Sequence, residues 1–521
     1  MIQYLFPKRI LMDKNVVNPE ALLEEVDLQI GLNEPNTTDI LDGEILLDFG
    51  EELCGGIRIL IANYSNVQIP LRVRFGESVS ECLSDLPLST NDHAVRDMVA
   101  YTTNLCDMEI GNTGFRFVKV DKLVKDPVLK IKAIVAVSKT TDKQYEGYFE
   151  TSNERINEIY NTARKTVTLC IQNGYLWDGI KRDRLVWIGD LHPEFLALKT
   201  MYSNLDEVKN SMRFVKKQTP LPRWMNDIPM YSMWWIIILY DYYFQTNDFE
   251  FVLENKKYLR AVVEEILKHT DATTHFSMNF VDWPTKDHPD EAAGVHALTI
   301  IALQKAKELF SILGLNDEIN LDELLGTKYQ VLEKKQVKAF TAIAYNDYNE
   351  DVKEFLTNEA SKSFSTFTAY YILKAMFLSG ARQEALDIAK EYYGAMLDLG
   401  ATTFFEDFDI EWKENAFRID EFPIDGKKDP HGDCGKHCYK GFRHSLCHGW
   451  SSGVISFFVE YIAGIRPIEI GCKTVLVEPY LGDLEYLKCQ YPTNFGPIIV
   501  FCDKNGVKVT HPQEITIIKG K

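Results

Sequence analysis

The sequence predicts a multidomain α+β protein in which a large helical domain lies between two β-rich domains. Apolar residues alternate with polar ones from about residue 43 to 138, recur at helical spacing from about 151, and alternate again after Gly464. The chain has 521 residues, which is more than one hydrophobic core usually serves. We therefore expect three domains, over residues 1–145, 146–464 and 465–521.

Both ends of the chain have the two-residue period of β-strands. Successive side chains of a strand point to opposite faces, so one face can cover a core. We expect a β-sandwich in the first domain and a smaller β-domain at the end, with a tight hairpin turn at Asn505-Gly506. The strand segments are GEILLDFG, GGIRILI, IPLRVRFGES, GFRFVKVDKL and VLKIKAIVAV in the first domain, and TVLVEP, LEYLKCQYP, GPIIVFCD and GVKVTH in the last.

The middle of the chain has the spacing of α-helices. Its first helix follows Thr151 and Glu154, which are spaced as in a capping box. Helices in this number fit a toroid of helix pairs; a solenoid is the alternative, but no fixed sequence repeat favours it. Further helices are predicted at about 193–204, 229–246, 248–269, 290–313, 321–336, 351–357, 364–379, 383–398 and 443–463.

The overall charge narrows the range of partners. The formal net charge is -19 at pH 7, which repels nucleic-acid phosphates and anionic membranes. No apolar run approaches the roughly 20 residues of a membrane helix. We expect neither nucleic acid nor a membrane as a partner, and the sequence indicates no oligomeric state. The first residues, MIQYLFPKRILMDKN, lack the layout of a secretory signal. The expected compartment is the cytoplasm, or the periplasm for a chain whose signal was removed.

The segment WDGIKRDRLVWIGDLHPE, residues 177–194, combines many charges with aromatic surface. Charged side chains are rarely buried unpaired, and the rings of Trp177 and Trp187 would be wasted in a solvated loop. The combination is typical of a cleft, and indole rings suit the apolar faces of sugars. All eight tryptophans lie in the predicted helical domain, which favours an aromatic-lined pocket there.

Within this segment, residues 178–189 are predicted to form a loop that enters a helix near residue 192. Asp190 or Leu191 would lie close to the helix cap, where backbone N–H groups suit polar ligands. The alternative is that Asp190 only caps the helix and that Asp183 pairs with a neighbouring arginine at the surface.

A second acidic segment with aromatic neighbours is GATTFFEDFDIEW, residues 400–412. Glu406 lies between Phe405 and Phe408, where its carboxyl could face desolvated substrate. Two separate acids in such settings are what glycoside hydrolysis requires, one to protonate the leaving oxygen and one to activate water or attack carbon. The alternative is a strand or loop whose acids face water.

The segment DPHGDCGKHCYKGFRHSLCHGW, residues 429–450, is rich in histidine and cysteine. Cys434 and Cys438, with Cys447 or His448, could bind zinc, but the two-residue spacing and second pair of common zinc sites are missing. The other interpretations are a loop whose side chains pack or cap, and a loop that lines the substrate.

Taken together, these segments resemble glycoside hydrolase family 78, the α-L-rhamnosidases of the six-hairpin glycosidase superfamily. The resemblance covers nearly the whole chain and implies a central (α/α)6 barrel flanked by an N-terminal β-sandwich and a small C-terminal β-sandwich. It rests on LDFGEELCGGIRI, VRFGES and GFRFVKV in the first domain, FETSNERINEIYNTARKT at the entry helix, and LVEPYLGDLEYLKCQYPTNFGPIIV in the last domain.

The resemblance also implies roles for individual residues. Asp183 takes the place of the general acid, where the family usually has Glu, and the surrounding motif is one residue shorter than in the family. Glu406, in TTFFE, matches the general base that activates water. The residues matched to sugar binding, or expected to cover the sugar ring, are Asp178, Arg182, Trp187, Asp190, Trp283, His448 and Trp450.

We therefore predict an inverting exo-glycosidase that releases terminal α-L-rhamnose, or a similar deoxy sugar, from a carbohydrate substrate. This mechanism requires no metal and no organic cofactor. Two alternatives remain: a helical-barrel glycosidase with a different sugar, and a sugar-binding protein without catalysis, which Asp in place of Glu at position 183 favours.

Overall fold

The computed structural model describes residues 1–63, 67–85, 96–270, 274, 276–315, 319–327, 329–437 and 439–520. The fold is mixed α/β, with strands at both ends of the chain and helices between them. Within the described ranges, no helix is both long and apolar enough to cross a membrane.

The N-terminal strands form one seven-stranded sheet. Its order is β1-β7-β3-β6-β4-β5, with β2 paired to β3, and it has a hydrophobic core of its own that extends from Leu22 to Ala136. The short helix α1 (Val79–Leu83) follows β4 and is capped by Ser78. The strands are β1 (Ile2–Leu5), β2 (Arg9–Val17), β3 (Thr38–Ile61), β4 (Pro70–Gly76), β5 (Asp97–Tyr101), β6 (Asp107–Lys122) and β7 (Leu129–Lys139).

Two segments predicted as separate strands, GEILLDFG and GGIRILI, both lie on β3. The register of β3 against β6 shifts between Asp48 and Leu53, and Gly50 in this interval has a φ of 83°. The interruption of the apolar pattern is therefore a bulge within one bent strand, and not a turn between two.

Seven of the central helices fall into two groups that differ in burial. The helices α3, α5, α7 and α11 are buried over most of their length, whereas α4, α6 and α10 bury one face only. The bounds are α2 (Glu154–Cys170), α3 (Ile188–Leu198), α4 (Asp206–Gln218), α5 (Pro229–Thr246), α6 (Phe249–Leu267), α7 (Glu291–Ile312), α8 (Asp322–Gly326), α9 (Lys335–Tyr345), α10 (Glu350–Thr357), α11 (Ala369–Leu378), α12 (Arg382–Asp398) and α13 (Val454–Phe457).

The helix predicted at 321–336 is wrong, because α8 and α9 are separate. Between them, the carboxylate of Asp290 accepts hydrogen bonds from the backbone N–H groups of Leu332, Glu333 and Lys334. These tertiary hydrogen bonds replace the helical ones.

The helix predicted at 443–463 begins later, at Gly449, and is helical to Ile462, but it is not a regular α-helix. A 3-10 turn over Gly449–Gly453 leads into α13, and a π-helical turn follows at Phe458–Ile462. Helix α4 (Asp206–Gln218) was not predicted from the sequence.

The C-terminal strands pack against the helices. A three-stranded sheet contains β11 (Ile465–Pro467), β12 (Thr474–Val477) and β16 (Thr516–Lys519); a four-stranded sheet has the order β15-β14-β13-β8. One hydrophobic core extends from Phe149 to Ile515 and includes both helices and strands. The remaining strands are β8 (Tyr148–Thr151), β9 (Ile171–Gln172), β10 (Tyr175–Leu176), β13 (Tyr486–Tyr491), β14 (Ile498–Asp503) and β15 (Gly506–Thr510).

Candidate active site

All nine residues that the sequence predicted to be catalytic or sugar-binding line one cavity of about 220 Å³. They come from the loop before α3 and the first turn of that helix, from a short 3-10 turn at Trp283–Thr285, and from the segments that follow α12. The nine are Asp178, Arg182, Asp183, Trp187, Asp190, Trp283, Glu406, His448 and Trp450.

Two hydrogen bonds between Asp178 and Leu185 hold the loop between β10 and α3 together. The backbone N–H of Asp178 donates to the carbonyl of Leu185 (3.0 Å), and the Asp178 carboxylate accepts from the Leu185 N–H (2.8 Å). At the tip, Asp183 and Arg184 have φ values of 53° and 55°. Non-glycine residues adopt this conformation at a cost, and such strain is concentrated at functional sites.

Helix α3 begins earlier than the sequence predicted. Its first residue is Ile188, so Asp190 lies in the first turn and Pro193 lies inside the helix. Asp190 makes no side-chain cap. Its carboxylate instead faces the cavity and accepts a hydrogen bond from the hydroxyl of Tyr231 at 3.4 Å.

Arg182 joins the two predicted catalytic carboxylates. Its Nη1 lies 2.8 Å from Oδ2 of Asp183, and its Nη2 donates to Oε1 of Glu406. Its Nε donates to the carbonyl of Arg443 at 2.7 Å. Burial alone would lower the pKa of Arg182. The negative charges of Glu406 and Asp183 have the larger combined effect and raise that pKa. One permanent cation thus holds both acids in place.

Glu406 is fixed from several sides. Its Oε2 accepts the backbone N–H of Ser445 at 3.2 Å, and its own N–H donates to the Ser445 carbonyl at 2.9 Å. Its carbonyl accepts from Nε1 of Trp450 at 2.8 Å and from the hydroxyl of Thr366. The orientation of this carboxylate is therefore set before any substrate arrives.

His448 lies among three carboxylates. Its Nε2 is 3.4 Å from Glu406 Oε1, 3.7 Å from Asp190 Oδ2 and 3.8 Å from Asp178 Oδ2. Burial, and then the charge of Arg182, lower the pKa of His448 well below its usual value. The imidazole is neutral at pH 7.

The carboxyl groups of Asp178 and Asp190 both favour the protonated form. Burial raises the pKa of Asp178 well above its ordinary value, and the charge of Asp190 adds to the effect. Burial, and then Glu406, raise the pKa of Asp190 in the same way. A carboxyl that can carry a proton both donates and accepts hydrogen bonds, which suits the hydroxyl groups of a sugar.

Aromatic rings form much of the remaining wall. The rings of His448 and Trp450 are 4.3 Å apart, and Trp283 packs edge-to-face on Phe280 at 5.1 Å. The cavity therefore has a polar floor and aromatic sides, as is usual where sugars bind.

Sequence analysis missed five residues of the wall: Ile228, Tyr231, Phe280, Tyr439 and Arg443. The last two belong to the segment 429–450, which was left open between a metal site, a packed loop and a substrate-lining loop, and the Tyr439 ring lies 5.8 Å from the Arg182 guanidinium. Part of that segment thus lines the cavity.

The zinc alternative depends in part on a residue for which the structure gives no position. Cys438 lies outside the described residues. In the described part of the chain, Glu77, Glu81 and His431 could together hold a metal ion. The Lys181 ammonium lies 3.0 Å from Glu81 Oε1 and 3.3 Å from Glu77 Oε2, so a cation of the chain itself already balances that charge.

The family model described as bacterial alpha-L-rhamnosidase 6 hairpin glycosidase domain matches residues 144–370. This segment, less than half of the chain, is similar to the six-hairpin glycosidases. The resemblance to glycoside hydrolase family 78 that the sequence predicted is thereby confirmed over this segment. The matched residues include the loop before α3 and Trp283.

A curated protein that is similar to this chain is only distantly related to it. An alpha-L-rhamnosidase from Formosa agariphila is 23% identical over 185 residues, which are 34% of this chain and 19% of the relative. The chain thus matches only about a fifth of that relative's length.

Solved structures share the fold over almost the whole chain. The GH78 family rhamnosidase of Bacillus sp. GL1 has a TM-score of 0.76 at 18% identity, over 96% of this chain and 55% of its own. The rhamnosidase from Klebsiella oxytoca with rhamnose bound has a TM-score of 0.69 at 20% identity, over 88% of this chain and 96% of its own. At these identities the likeness concerns the fold.

Proposed function

We propose that this chain is an inverting exo-glycoside hydrolase that releases terminal α-L-rhamnose, or a similar deoxy sugar. The observation that carries the proposal is the pairing of one guanidinium, that of Arg182, with both Asp183 and Glu406. Named relatives and fold neighbours that are rhamnosidases support the choice of sugar.

In the proposed reaction, Asp183 donates its proton to the glycosidic oxygen as the bond from that oxygen to the anomeric carbon breaks. A water molecule attacks the carbon from the opposite face, and Glu406 takes its proton. Exchange with solvent then returns both acids to their starting states. For an inverting enzyme, the two carboxyls should lie roughly 6.5–9.5 Å apart, which leaves room for the water.

The cavity size supports exo-action. At about 220 Å³ it is smaller than the roughly 300–1,000 Å³ of sites for drug-sized ligands, and it suits a single sugar ring. Asp178, Asp190 and His448 would bind its hydroxyl groups. Trp187, Trp283 and Trp450 would cover its apolar faces.

We further propose that residues 146–464 form an (α/α)6 barrel, with β-sandwich domains at 1–145 and 465–521. The division of the helices into buried ones and ones with a single buried face supports this arrangement. In such a barrel, the buried helices form the inner ring.

The proposal is tested with p-nitrophenyl α-L-rhamnoside, α-L-mannoside, α-L-fucoside and β-D-glucoside. The wild type should hydrolyse the rhamnoside fastest, and Glu406→Gln should lose about 10²–10⁴-fold in kcat/KM. Asp183→Asn should lose less on this substrate, because p-nitrophenolate leaves with little help from a proton. The exposed acid Asp387 provides a matched control, since Asp387→Asn should keep full activity.

Two results would contradict the proposal. Faster hydrolysis of another glycoside would show that the sugar is wrong. Binding of rhamnose, seen as a change in tryptophan fluorescence, without turnover of any glycoside would favour the non-catalytic alternative that Asp183 suggests.

A further inference from the structure

A second cavity, of about 400 Å³, lies among the helices α3, α5, α7 and α11 and shares no lining residue with the first. Aromatic rings separate the two cavities. Trp234 lines the second cavity and packs on Phe367 at 6.2 Å, and Phe367 packs on Trp450 of the first cavity at 5.1 Å. The second cavity is therefore a separate site.

The charged lining of this second cavity is mostly cationic, in a protein whose net charge is -19. Three of the cations have carboxylate partners. Lys199 pairs with Glu460 at 2.7 Å, Lys305 with Asp241 at 3.2 Å, and Arg466 with Glu478 at 2.6 Å. His192 adds no charge, because burial lowers its pKa.

Lys374 is the exception. Among the described residues, its ammonium group has neither a hydrogen bond nor an ion pair, although the side chain lines the cavity. Burial lowers the pKa of Lys374. The negative charges of Glu460 and Asp241 oppose this shift, and the positive charges of Lys305 and Lys199 add to it. Lys374 is partly buried. A cation without a partner is disfavoured in such a place, and an anion that pairs with it removes the cost.

The rest of the wall fits a small organic molecule. Trp234, Phe340 and Tyr371 give it apolar surface, and Gln245 and Gln304 give it amide groups. The side chain of Lys305 is 32% exposed, so the cavity can be reached from solvent.

We propose that this cavity binds a small polar organic molecule through an acidic group, a carboxylate or a phosphate, that pairs with Lys374. The site is separate from the hydrolytic one. The proposal therefore stands or falls independently of the assigned activity.

The test uses the full chain labelled with 5-fluorotryptophan and observed by ¹⁹F NMR. The Trp234 signal is identified as the one missing from Trp234→Phe. Glucose 6-phosphate and glucuronate are the acidic probes, and glucose is the neutral one. A shift of the Trp234 signal with either acid, and none with glucose, is expected; the acid that acts distinguishes phosphate from carboxylate.

The charge is then removed in Lys374→Met. A hydrogen bond to a charged group contributes roughly 1.5–3 kcal/mol, so the Kd for the active acid should rise at least about tenfold. Lys305→Met, at a partly exposed position, serves as a second variant should Lys374→Met fold poorly, and it should also weaken binding. The exposed Lys217 supplies the control Lys217→Met, which should bind as the wild type does.

An unmoved Trp234 signal with both acids would overturn the proposal. So would an equal response to glucose, or an unchanged Kd in both cavity variants.

Discussion

Arg182 and Glu406 are 224 positions apart in the chain and form a buried ion pair at the floor of the active-site cavity. The same guanidinium pairs with Asp183 at 2.8 Å. A single cation therefore orients the two carboxylates to which the proposed reaction assigns proton donation and proton removal.

Replacement of Arg182 by lysine should separate geometry from charge. An ammonium group keeps the charge but cannot serve both carboxylates and the Arg443 carbonyl with fixed planar geometry. We expect Arg182→Lys to lose about 100-fold in kcat/KM. Arg184, which does not line the cavity and stacks on Trp177, gives the control: Arg184→Lys should stay within about threefold of the wild type. Equal losses in both variants would contradict the account.

The role of Asp183 can be tested through the leaving group. A dinitrophenolate departs without a proton, whereas an alkoxide or sugar hydroxyl needs one. Asp183→Asn should therefore lose about 10²–10⁴-fold on an alkyl rhamnoside but less than about tenfold on 2,4-dinitrophenyl rhamnoside. A uniform loss across leaving groups would show that Asp183 does not donate the proton.

Gly449 lies where a side chain cannot fit. A Cβ built there would be 1.8 Å from Oε1 of Glu194, which is buried on α3 behind Asp190. Gly449→Ala should reduce the free energy of unfolding by about 2–3 kcal/mol and disturb the cavity. Gly326, with no atom near a built Cβ, is the control; Gly326→Ala should change stability by less than about 1 kcal/mol. Urea unfolding measures both, and equal stability of the two variants would contradict the packing described.

Asp407 gives a pH-dependent prediction. Burial, and then the charges of Asp282 and Glu406, raise the pKa of Asp407 to about 7. Because the folded state holds this proton more tightly than the unfolded state, with its pKa of about 3.9, stability falls as pH rises from about 4 to about 7 and stays low above that. Asp407→Asn should therefore be more stable than the wild type at pH 8, by on the order of 2 kcal/mol after allowance for partial exposure.

The stability gain of Asp407→Asn should shrink toward zero at pH 4. Urea unfolding at both pH values checks this, with Glu20→Gln, at an exposed acid, as the matched change of charge. A gain of equal size at both pH values would mean that the Asp407 carboxyl does not titrate as described.

Local patterns predicted much of the secondary structure and the members of the site. The loop before α3 and the first turn of that helix carry five of the nine predicted site residues within 13 positions, from Asp178 to Asp190. Such compact motifs can be recognised from sequence. The start of α3 was misplaced, because Pro193 suggested the first turn of a helix but lies inside it.

Long-range contacts could not be predicted in the same way. Tyr231 reaches Asp190 from α5, where it looks like any buried helical residue. The break between α8 and α9 depends on hydrogen bonds to Asp290, about 40 positions away, and no local pattern contains that information.

The measurement that tests the central claim most directly is ¹H NMR of the first rhamnose released from an α-L-rhamnoside, before the anomers equilibrate. If Asp183 and Glu406 act across Arg182 as acid and base on opposite faces of the sugar, β-L-rhamnose forms first and the α anomer appears only by mutarotation. If α-L-rhamnose forms first, the configuration is retained, which requires a covalent intermediate and contradicts the assigned roles.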